Sequence, residues 1–337
     1  MGVPKKLNKG NAKKAVETED VFKEFINEKE IKGLVEKSIK GYRDSFSRFI
    51  AFSNDAFPDD VKILKNITKP LVNEWIKEMK DKTDANGNVL APASINSHVR
   101  NVRAFLYWCM NDERPRTKKL TRFTISEVTG QGKSLKDFEK VEIDKLLKKP
   151  TKISNNYNEW REWAICNFVL GTGARTGTFL NIKLEDLDFK NKKIRYTHTK
   201  NKLYQVMSMS RQVSKVLKEF IDNFHNAEET DEYLFANVKG GKLNDDAFRN
   251  GFRRYAQRRG VEKTNIHGLR HSYARDWIMN GGDIVQLQKI LGHGSIRMTE
   301  KYVDVYGEGL PDDFEKHNPL DVMTVNKSRE RKMKAKI

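Results

Sequence analysis

The interpretation of the whole sequence depends on the stretch His267-Gly-Leu-Arg-His271, in the last third of the chain. Leu291-Gly-His293 and Tyr302 follow it at short spacings, and Thr172-Gly-Ala-Arg175 supplies an earlier arginine just after an apolar run. A planar guanidinium matches the geometry of a phosphate better than an ammonium does. Two arginines, several histidines and a tyrosine therefore indicate a site where a phosphate is held and attacked by a phenolic oxygen.

Such an attack needs proton carriers, because a tyrosine with an ordinary pKa of about 10 is a weak nucleophile until it loses its proton. His267 and Lys200 are candidates, one for the nucleophile and one for the leaving oxygen. His293 follows a glycine and can donate to a phosphate oxygen. Taken singly, each histidine is better explained as a core or surface imidazole, so the site is favoured by the set and not by any one member.

Metal binding is the alternative for the histidines. His267 and His271 stand at positions i and i+4, which places two possible ligands on one helical face. The residues between them are Gly-Leu-Arg, without a glutamate, and the charge of Arg270 would repel a metal ion. No glycine-rich loop with Lys-Ser or Lys-Thr is present for a nucleotide. The sequence therefore predicts neither a metal nor another cofactor.

The composition favours a polyanionic partner. The 337 residues include 64 Lys and Arg against 46 Asp and Glu, a formal net charge of +18. Residues 1–130 hold 25 basic and 18 acidic residues, a net +7, and the remainder holds 39 and 28, a net +11. Both parts are expected to contact nucleic acid, although a merely basic protein would show the same excess.

The cysteines and the apolar segments of the sequence indicate the cellular compartment in which the protein is expected to act. Cys109 and Cys166 lie in apolar, helix-like stretches, which favours a reducing compartment over a disulfide framework. No run approaches the roughly 18 apolar residues of a membrane span. The basic N-terminus lacks the apolar region of a secretory signal. We expect a cytoplasmic protein without a membrane partner, associated with the nucleoid in a bacterial or archaeal host.

The first part of the chain is expected to be helical. Residues 1–18 are interpreted as a mobile basic arm, residues 19–111 as a four-helix unit, and residues 112–135 as a basic linker containing Pro and Gly. The apolar spacing predicts helices around Val21–Ile26, Tyr42–Phe52, Thr68–Met79 and Ala93–Met110. On the fourth helix, three cationic or titratable side chains are candidate DNA contacts or solvated surface groups: His98, Arg100 and Arg103.

The second part, residues 136–310, is expected to be helical with a small antiparallel sheet, so the fold class is mostly α with α+β character in this domain. Strands are predicted over Leu187–Phe189, Lys193–His198 and Tyr204–Met209. Helices are predicted over Val141–Lys148, Tyr157–Leu170, Phe179–Leu184, Gln212–Phe224, Asp245–Arg259, Gly268–Asn280, Ile284–Leu291 and Met298–Val305. Met298 and Val305 are predicted to pack the last helix, which carries Tyr302, on the core.

One predicted helix of this second part carries arginines at spacings of three to five residues. They either face phosphates or form a solvated basic face, and DNA contact is favoured. The candidate contacts here are Arg249, Arg253 and Arg254, joined by Lys202 in the turn between the second and third strands.

The ordered motifs resemble the tyrosine recombinase (phage integrase) family. Thr-Gly-Ala-Arg175, the Lys200 turn, His267-x-x-Arg270-His271, Leu-Gly-His293 and Tyr302 nine residues later carry the resemblance, which extends over roughly residues 19–310. It implies a helical core-binding domain, a catalytic domain and a C-shaped clamp on DNA.

The family pattern also implies a role for each motif residue. Arg175 and Arg270 grip the scissile phosphate, and His293 assists. Lys200 protonates the 5′ oxygen and Tyr302 forms a 3′-phosphotyrosine, which leaves the remaining proton-handling position to His267.

One position departs from the family pattern, and one segment lies beyond the motifs that carry the resemblance. The family commonly has Glu three residues after the first arginine, where this chain has Thr178, so the support of Arg175 is in question. Glu185 and Asp186 are candidate substitutes. Residues 311–337 are interpreted as a docking and basic tail, which the family uses to contact the neighbouring protomer, or as a disordered solubilising end.

The resemblance implies site-specific DNA recombination without metal or nucleotide, for integration or excision of a mobile element. The expected assembly is a homotetramer on two double-stranded DNA sites, a monomer or dimer off DNA, with an accessory or directionality factor as a further partner. A type IB topoisomerase shares the same residue types and is the alternative among enzymes. A non-catalytic DNA-binding accessory protein would be expected to lack at least one of the six site residues, and all six are present.

Overall fold

The computed structural model describes residues 17–56, 64–83, 87–111, 120–129, 137–151, 156–197, 204–225 and 232–307. The chain divides into two compact units, Met1–Lys133 and Ser134–Ile337. Each unit has its own apolar core. No helix in the described part of the chain combines the length and apolar character that crossing a bilayer requires.

The described part of the first unit contains four α-helices around an aromatic core. They are α1 (Thr18–Ile31), α2 (Glu36–Ala56), α3 (Lys69–Asp81) and α4 (Pro92–Asn111), with a short 3-10 turn at Leu64–Asn66. The rings of Phe22 and Phe46 stack at 3.7 Å, and Phe105 meets both edge-on. Thr68 begins α3 because its hydroxyl accepts from the Leu71 N–H and Pro70 lies in the first turn, where no donor is needed.

Residues 120–129, within the segment predicted as a linker, pack on the first unit. Leu120 and Ile125 are buried in its core. The Ile125 N–H donates to the Tyr107 hydroxyl at 3.0 Å. Asn96 and Val128 exchange two hydrogen bonds, from the Val128 N–H at 2.7 Å and to the Val128 carbonyl at 2.9 Å. This part of the segment therefore belongs to the core of the first unit.

The second unit is built around a helix that is buried on nearly all sides. Its helices are α5 (Lys140–Leu147), α6 (Tyr157–Thr172), α7 (Thr176–Phe179), α8 (Arg211–Phe224), α9 (Asp245–Arg258), α10 (His267–Met279), α11 (Ile284–Leu291) and α12 (Arg297–Tyr306). Helix α6 contacts α5, α8, α9 and α10. In its sequence the apolar residues are not confined to one face, which is typical of a helix that is packed on all sides.

A three-stranded antiparallel sheet lies between α7 and α8 in the chain. The strands β1 (Leu187–Asp188), β2 (Lys193–Tyr196) and β3 (Gln205–Ser208) are ordered β1-β2-β3. Ile194 pairs with Met207, and both side chains are buried while their neighbours along the strands are exposed. This alternation places one face of the hairpin on the core.

The predicted helix over Phe179–Leu184 is wrong. The helical turn lies earlier, in α7, and a 3-10 turn follows at Leu184–Asp186. The intervening backbone is engaged elsewhere, because the Leu184 N–H donates to the Glu232 carbonyl and the Leu234 N–H donates to the Ile182 carbonyl. These bonds use the backbone groups that a continuing helix would need.

The predicted packing of α12 is also wrong. Met298 and Val305 are 45% and 57% exposed, whereas Thr299 and Tyr302 are buried. Helix α12 packs on α10 and α11, and residues spaced by three lie on the face that meets them. The site tyrosine itself is therefore part of the small core that attaches its helix.

Candidate active site

Two helix C-termini form the frame of the site. Helix α6 ends at Gly173 and α11 ends at Gly292, both in the left-handed conformation with φ of 64° and 57°. A Cβ at residue 173 would lie 2.8 Å from the Tyr273 ring, so glycine is required by space as well as by backbone angle. Helix ends of this kind leave carbonyl oxygens without donors and carry partial negative charge.

The two site arginines donate to these carbonyl oxygens. Arg270, on α10 and 2% exposed, donates from Nη1 to Gly173 O and from Nη2 to Leu291 O at 2.8 Å. Arg175, the residue before α7, donates from Nη1 to Leu291 O at 2.6 Å and to Gly292 O at 3.0 Å. The Leu291 carbonyl thus joins both guanidinium groups, and the structure brings together two residues that are 95 positions apart in the sequence.

The electrostatics of the pair favour an anion. Burial, and then the neighbouring charge of Arg175, lower the pKa of Arg270 to about 9. Burial also lowers the pKa of Arg175. Arg270 still carries its proton at neutral pH, and the pair concentrates positive charge in a partly buried space. A phosphate bound here would offset the cost of holding two cations together.

Tyr302 lies beside this pair on α12. Its side chain is 1% exposed, and its ring lies parallel to that of His293 with 6.5 Å between centroids. Burial raises the pKa of Tyr302, while the charges of Arg270 and Arg175 act in the opposite direction. The phenol therefore keeps its proton at neutral pH and needs an acceptor before it can attack.

His293 is held by contacts at both ring nitrogens. Its Nε2 lies 3.1 Å from Arg270 Nη2, and its Nδ1 lies 2.8 Å from the Thr299 hydroxyl. Because a guanidinium can only donate, Nε2 accepts and the proton is assigned to Nδ1. Burial and the two arginines lower the pKa of His293 to about 3. Donation from Nε2 to a phosphate requires this nitrogen to gain a proton, which an arriving negative charge favours.

The imidazole at hydrogen-bond distance from the tyrosine is that of His271. Its Nδ1 lies 2.8 Å from Tyr302 Oη. His267 packs edge-on against His271 with 4.7 Å between ring centroids, and burial lowers the pKa of each to about 4. The sequence pattern assigned proton handling to His267 and treated His271 as a possible metal ligand. No sequence signal identifies the contact between His271 and Tyr302, because 31 residues separate them.

The question raised by Thr178 has a structural answer. Arg175 is oriented by the carbonyl oxygens of Leu291 and Gly292, while Thr178 is buried. Of the two candidate substitutes, Asp186 accepts from the Lys183 N–H at 3.0 Å and Glu185 is exposed. A helix C-terminus supports Arg175 here.

The predicted acid and one DNA contact lie outside the described residues. Lys200 and Lys202 fall within residues 198–203, between β2 and β3. The described start of β3 is fixed to α11, because Gln205 Nε2 donates to the Lys289 carbonyl at 2.7 Å. This contact fixes the start of β3 beside the C-terminal end of α11, whose Leu291 carbonyl accepts from both arginines.

The remaining predicted DNA contacts have varied surroundings. His98 is half-buried with Nδ1 3.0 Å from the Ser45 hydroxyl, and Arg100 and Arg103 both pair with Glu127 at 2.8 Å. On α9, Arg249 pairs with Asp245. Arg253 and Arg254 are exposed on the same helix. In the described part of the chain, no group of three or more His, Cys, Asp or Glu side chains is arranged to hold a metal ion.

Residues 136–308, just over half of the chain, match the phage integrase family. The chain therefore belongs to this family and is a tyrosine recombinase, an enzyme that transfers DNA strands. The family expected from the motifs is confirmed, as is the expected fold class of helices with a small antiparallel sheet.

Relatives of known name extend over most of the chain. The tyrosine recombinase XerA of Saccharolobus solfataricus is 26% identical over 304 residues, 88% of this chain and 92% of the relative. The tyrosine recombinase XerC of Corynebacterium glutamicum is 25% identical over 285 residues, 84% of this chain and 86% of the relative. The structure of the Tn1549 transposon integrase in complex with transposon right end DNA is 19% identical, with a TM-score of 0.63 over 85% of this chain and 94% of that chain. This last likeness shows the fold.

Proposed function

We propose that this recombinase cuts and rejoins DNA at specific sites through a 3′-phosphotyrosine formed on Tyr302. The observation that carries the proposal is the cluster in which two guanidinium groups and a buried phenol meet. Arg175 and Arg270 share one carbonyl oxygen, and both cations lie close enough to Tyr302 to counteract the effect of burial on its pKa. The arrangement supplies phosphate binding and a nucleophile within one unit.

In the proposed cleavage step, the scissile phosphate becomes a further acceptor for Arg175 and Arg270, beside the helix-end carbonyls that orient them. Tyr302 Oη attacks phosphorus, an O–P bond forms, and the bond from phosphorus to the 5′ oxygen breaks. The leaving 5′ oxygen takes a proton from Lys200. Rejoining is the reverse, with the 5′ hydroxyl of another strand as nucleophile. Each guanidinium donor aimed at the developing charge contributes about 3 kcal/mol to lowering the barrier.

The histidines act around this step. His293 assists phosphate binding from its position beside Arg270, and His267 handles a proton, as the family pattern implies. No step requires a metal or nucleotide, because the phosphotyrosine bond conserves the energy of the broken phosphodiester. The protein side chains supply the charge that a metal would otherwise provide.

The proposed partner is double-stranded DNA, bound by a homotetramer on two core sites, with monomers or dimers off DNA. The net positive charge of both parts of the sequence supports DNA binding by each. A mobile element is the proposed source of the sites, with an accessory or directionality factor as a further partner. The proposed place of action is the cytoplasm, at the nucleoid in a bacterial or archaeal host.

The test is covalent capture of cut DNA. The Tyr302→Phe variant first selects its binding sequence from random duplexes, and nicks are then placed at successive positions of that sequence so that cleavage releases a short strand. The chain with Tyr302 should form a covalent adduct resistant to denaturant, whereas Tyr302→Phe should bind with near-normal affinity and form none. Tyr306→Phe, one helical turn further on α12, is the matched control and should still form the adduct. An adduct from Tyr302→Phe would contradict the nucleophile assignment, and no adduct from the unmodified chain would contradict the function.

A further inference from the structure

The contact between His271 and Tyr302 is a feature of the site that the family pattern does not assign. The two side chains extend from α10 and α12, with Nδ1 and Oη 2.8 Å apart and ring centroids 5.7 Å apart. Tyr302 is buried, and His271 is half-buried beside Arg270. The contact therefore joins the reacting oxygen to the helix that holds a phosphate-binding arginine.

His293, the other imidazole whose ring faces Tyr302, is already engaged. Its Nε2 accepts from Arg270 and its Nδ1 lies at hydrogen-bond distance from Thr299. His271 is the imidazole with a ring nitrogen at hydrogen-bond distance from Tyr302 Oη. An acceptor in direct contact with a nucleophile is the geometry that general base catalysis requires.

We propose that His271 is a catalytic residue of this site, which holds the Tyr302 hydroxyl through Nδ1 and takes the phenolic proton as Tyr302 attacks the phosphate. The inference rests on the proposed function. As the bond from Tyr302 Oη to phosphorus forms, the proton moves to Nδ1 of His271, and His267, whose ring packs edge-on against that of His271, handles this proton only after His271. The bond from phosphorus to the 5′ oxygen breaks, and that oxygen takes its proton from Lys200. On rejoining, the departing Tyr302 oxygen recovers its proton from His271.

The surroundings of His271 connect its basicity to the substrate. The charged and titratable groups facing it come from α10, α12 and the segment before α5: Arg270, His267, Lys301, Tyr302 and Asp137. Burial is the largest cause of its low pKa, the charges of Lys301 and Arg270 lower the pKa further, and Asp137 raises it. His271 is therefore neutral and able to accept a proton at neutral pH. A phosphate bound at the arginines adds negative charge, which favours the imidazolium. Binding of the substrate therefore raises the pKa of His271 and makes it a stronger base.

The experiment measures single-turnover adduct formation on the nicked duplexes described above, as a function of pH. The unmodified chain should show a nearly level rate from about pH 7 to about pH 8, because the internal base is neutral and Arg270 is charged throughout this range. His271→Ala should be slower by about 100-fold at pH 7. Its rate should rise about tenfold per pH unit, because Tyr302 then loses its proton to solvent before it attacks.

Two further variants separate proton transfer from positioning. His271→Gln keeps a hydrogen-bond acceptor but cannot take a proton, so it should remain slow. Free imidazole should restore cleavage to His271→Ala and not to His271→Gln, whose side chain fills the space. Tyr306→Phe is the control for altered packing of α12, and DNA affinity measured separately for every variant shows that each is folded.

The outcomes are distinct. No adduct from the unmodified chain would overturn the proposed function, and this inference with it. With an adduct from the unmodified chain, an unchanged rate in His271→Ala, full activity in His271→Gln, or an equal loss at all pH values would overturn the role of His271 and leave the proposed function standing.

Discussion

At the scale of single residues, Arg175 and Arg270 donate to neutral acceptors. The carbonyl oxygens of Gly173, Leu291 and Gly292 satisfy the guanidinium donors without cancelling their charge. A carboxylate in the same place would neutralise part of the positive potential and compete with a phosphate. Support from helix ends therefore explains how Arg175 is oriented where Thr178 replaces the glutamate that is common in the family.

The proposed role of Lys200 as the acid gives a prediction at the same scale. Lys200→Ala should slow cleavage by about 100-fold, whereas Lys202→Ala should have little effect on the chemical step. A substrate with sulfur in the 5′-bridging position should restore Lys200→Ala, because a thiolate leaves without being protonated. Single-turnover rates on the oxygen and sulfur substrates measure both effects. Equal losses in the two variants, or no rescue by sulfur, would contradict the assignment.

At the scale of elements, α9 has two distinct faces. Phe248, Phe252, Tyr255 and Ala256 are buried against the core, while Arg253 and Arg254 are exposed. One turn further, Arg258 is engaged in an ion pair with Glu159. Among the described interactions, neither Arg253 nor Arg254 takes part in an ion pair of this kind. This supports a role for the two arginines in binding phosphates.

Removing an exposed arginine from α9 should weaken DNA binding in a way that depends on salt. Arg253→Ala should lower the slope of log affinity against log salt concentration by roughly one unit, because one phosphate contact fewer releases one counterion fewer. Arg258→Ala is the matched control on the same helix and should change the slope less, since its charge is paired with Glu159. Titrations of a fluorescent duplex at several salt concentrations measure the slope. An unchanged slope in both Arg253→Ala and Arg254→Ala would remove α9 from the interface.

Local sequence signals explain which elements were predicted well. The predicted bounds of α11, Ile284–Leu291, agree with the observed ones; in the structure the Asp283 side chain caps its first turn and Gly292 ends it, and both residues are adjacent to the helix. The error at residues 179–184 arose because Lys183 pairs with Tyr233, a partner 50 positions away. The contact of His271 with Tyr302 is non-local in the same sense. Residue type and spacing predicted candidate members of the site, of which the structure brings Arg175, Arg270, His293 and Tyr302 together, and tertiary pairing decides which of them touch.

At the scale of the whole molecule, the proposed reaction requires several copies of the chain on two DNA sites. The segment expected to join neighbouring copies, residues 311–337, lies outside the described residues, so its role stays a prediction from the sequence and the family. It has two chemically different parts. Asp312–Val325 alternates acidic and apolar residues, and Lys327–Lys336 contains six basic residues against one acidic.

Truncation should separate binding from assembly. A chain ending at Gly309 should bind a single DNA site but form fewer paired complexes, because the docking segment is missing. A chain ending at Asn326 is the matched control, since it loses the basic end and keeps Asp312–Val325. Native gel analysis of one-site and two-site complexes measures both properties. Normal recombination by the chain that ends at Gly309 would contradict the docking role.

The carbonyl oxygens that hold Arg270 also have a consequence for biosynthesis. A ribosome delivers Gly173 long before Leu291, and Arg270 has both of its backbone acceptors only after residue 291 has been made. Tyr302 follows later still. A nascent or prematurely terminated chain that stops before this residue lacks the proposed nucleophile, even if its earlier parts fold and bind DNA. If Tyr302 is the nucleophile, as proposed, the chain therefore cannot cut DNA until residue 302 has been made.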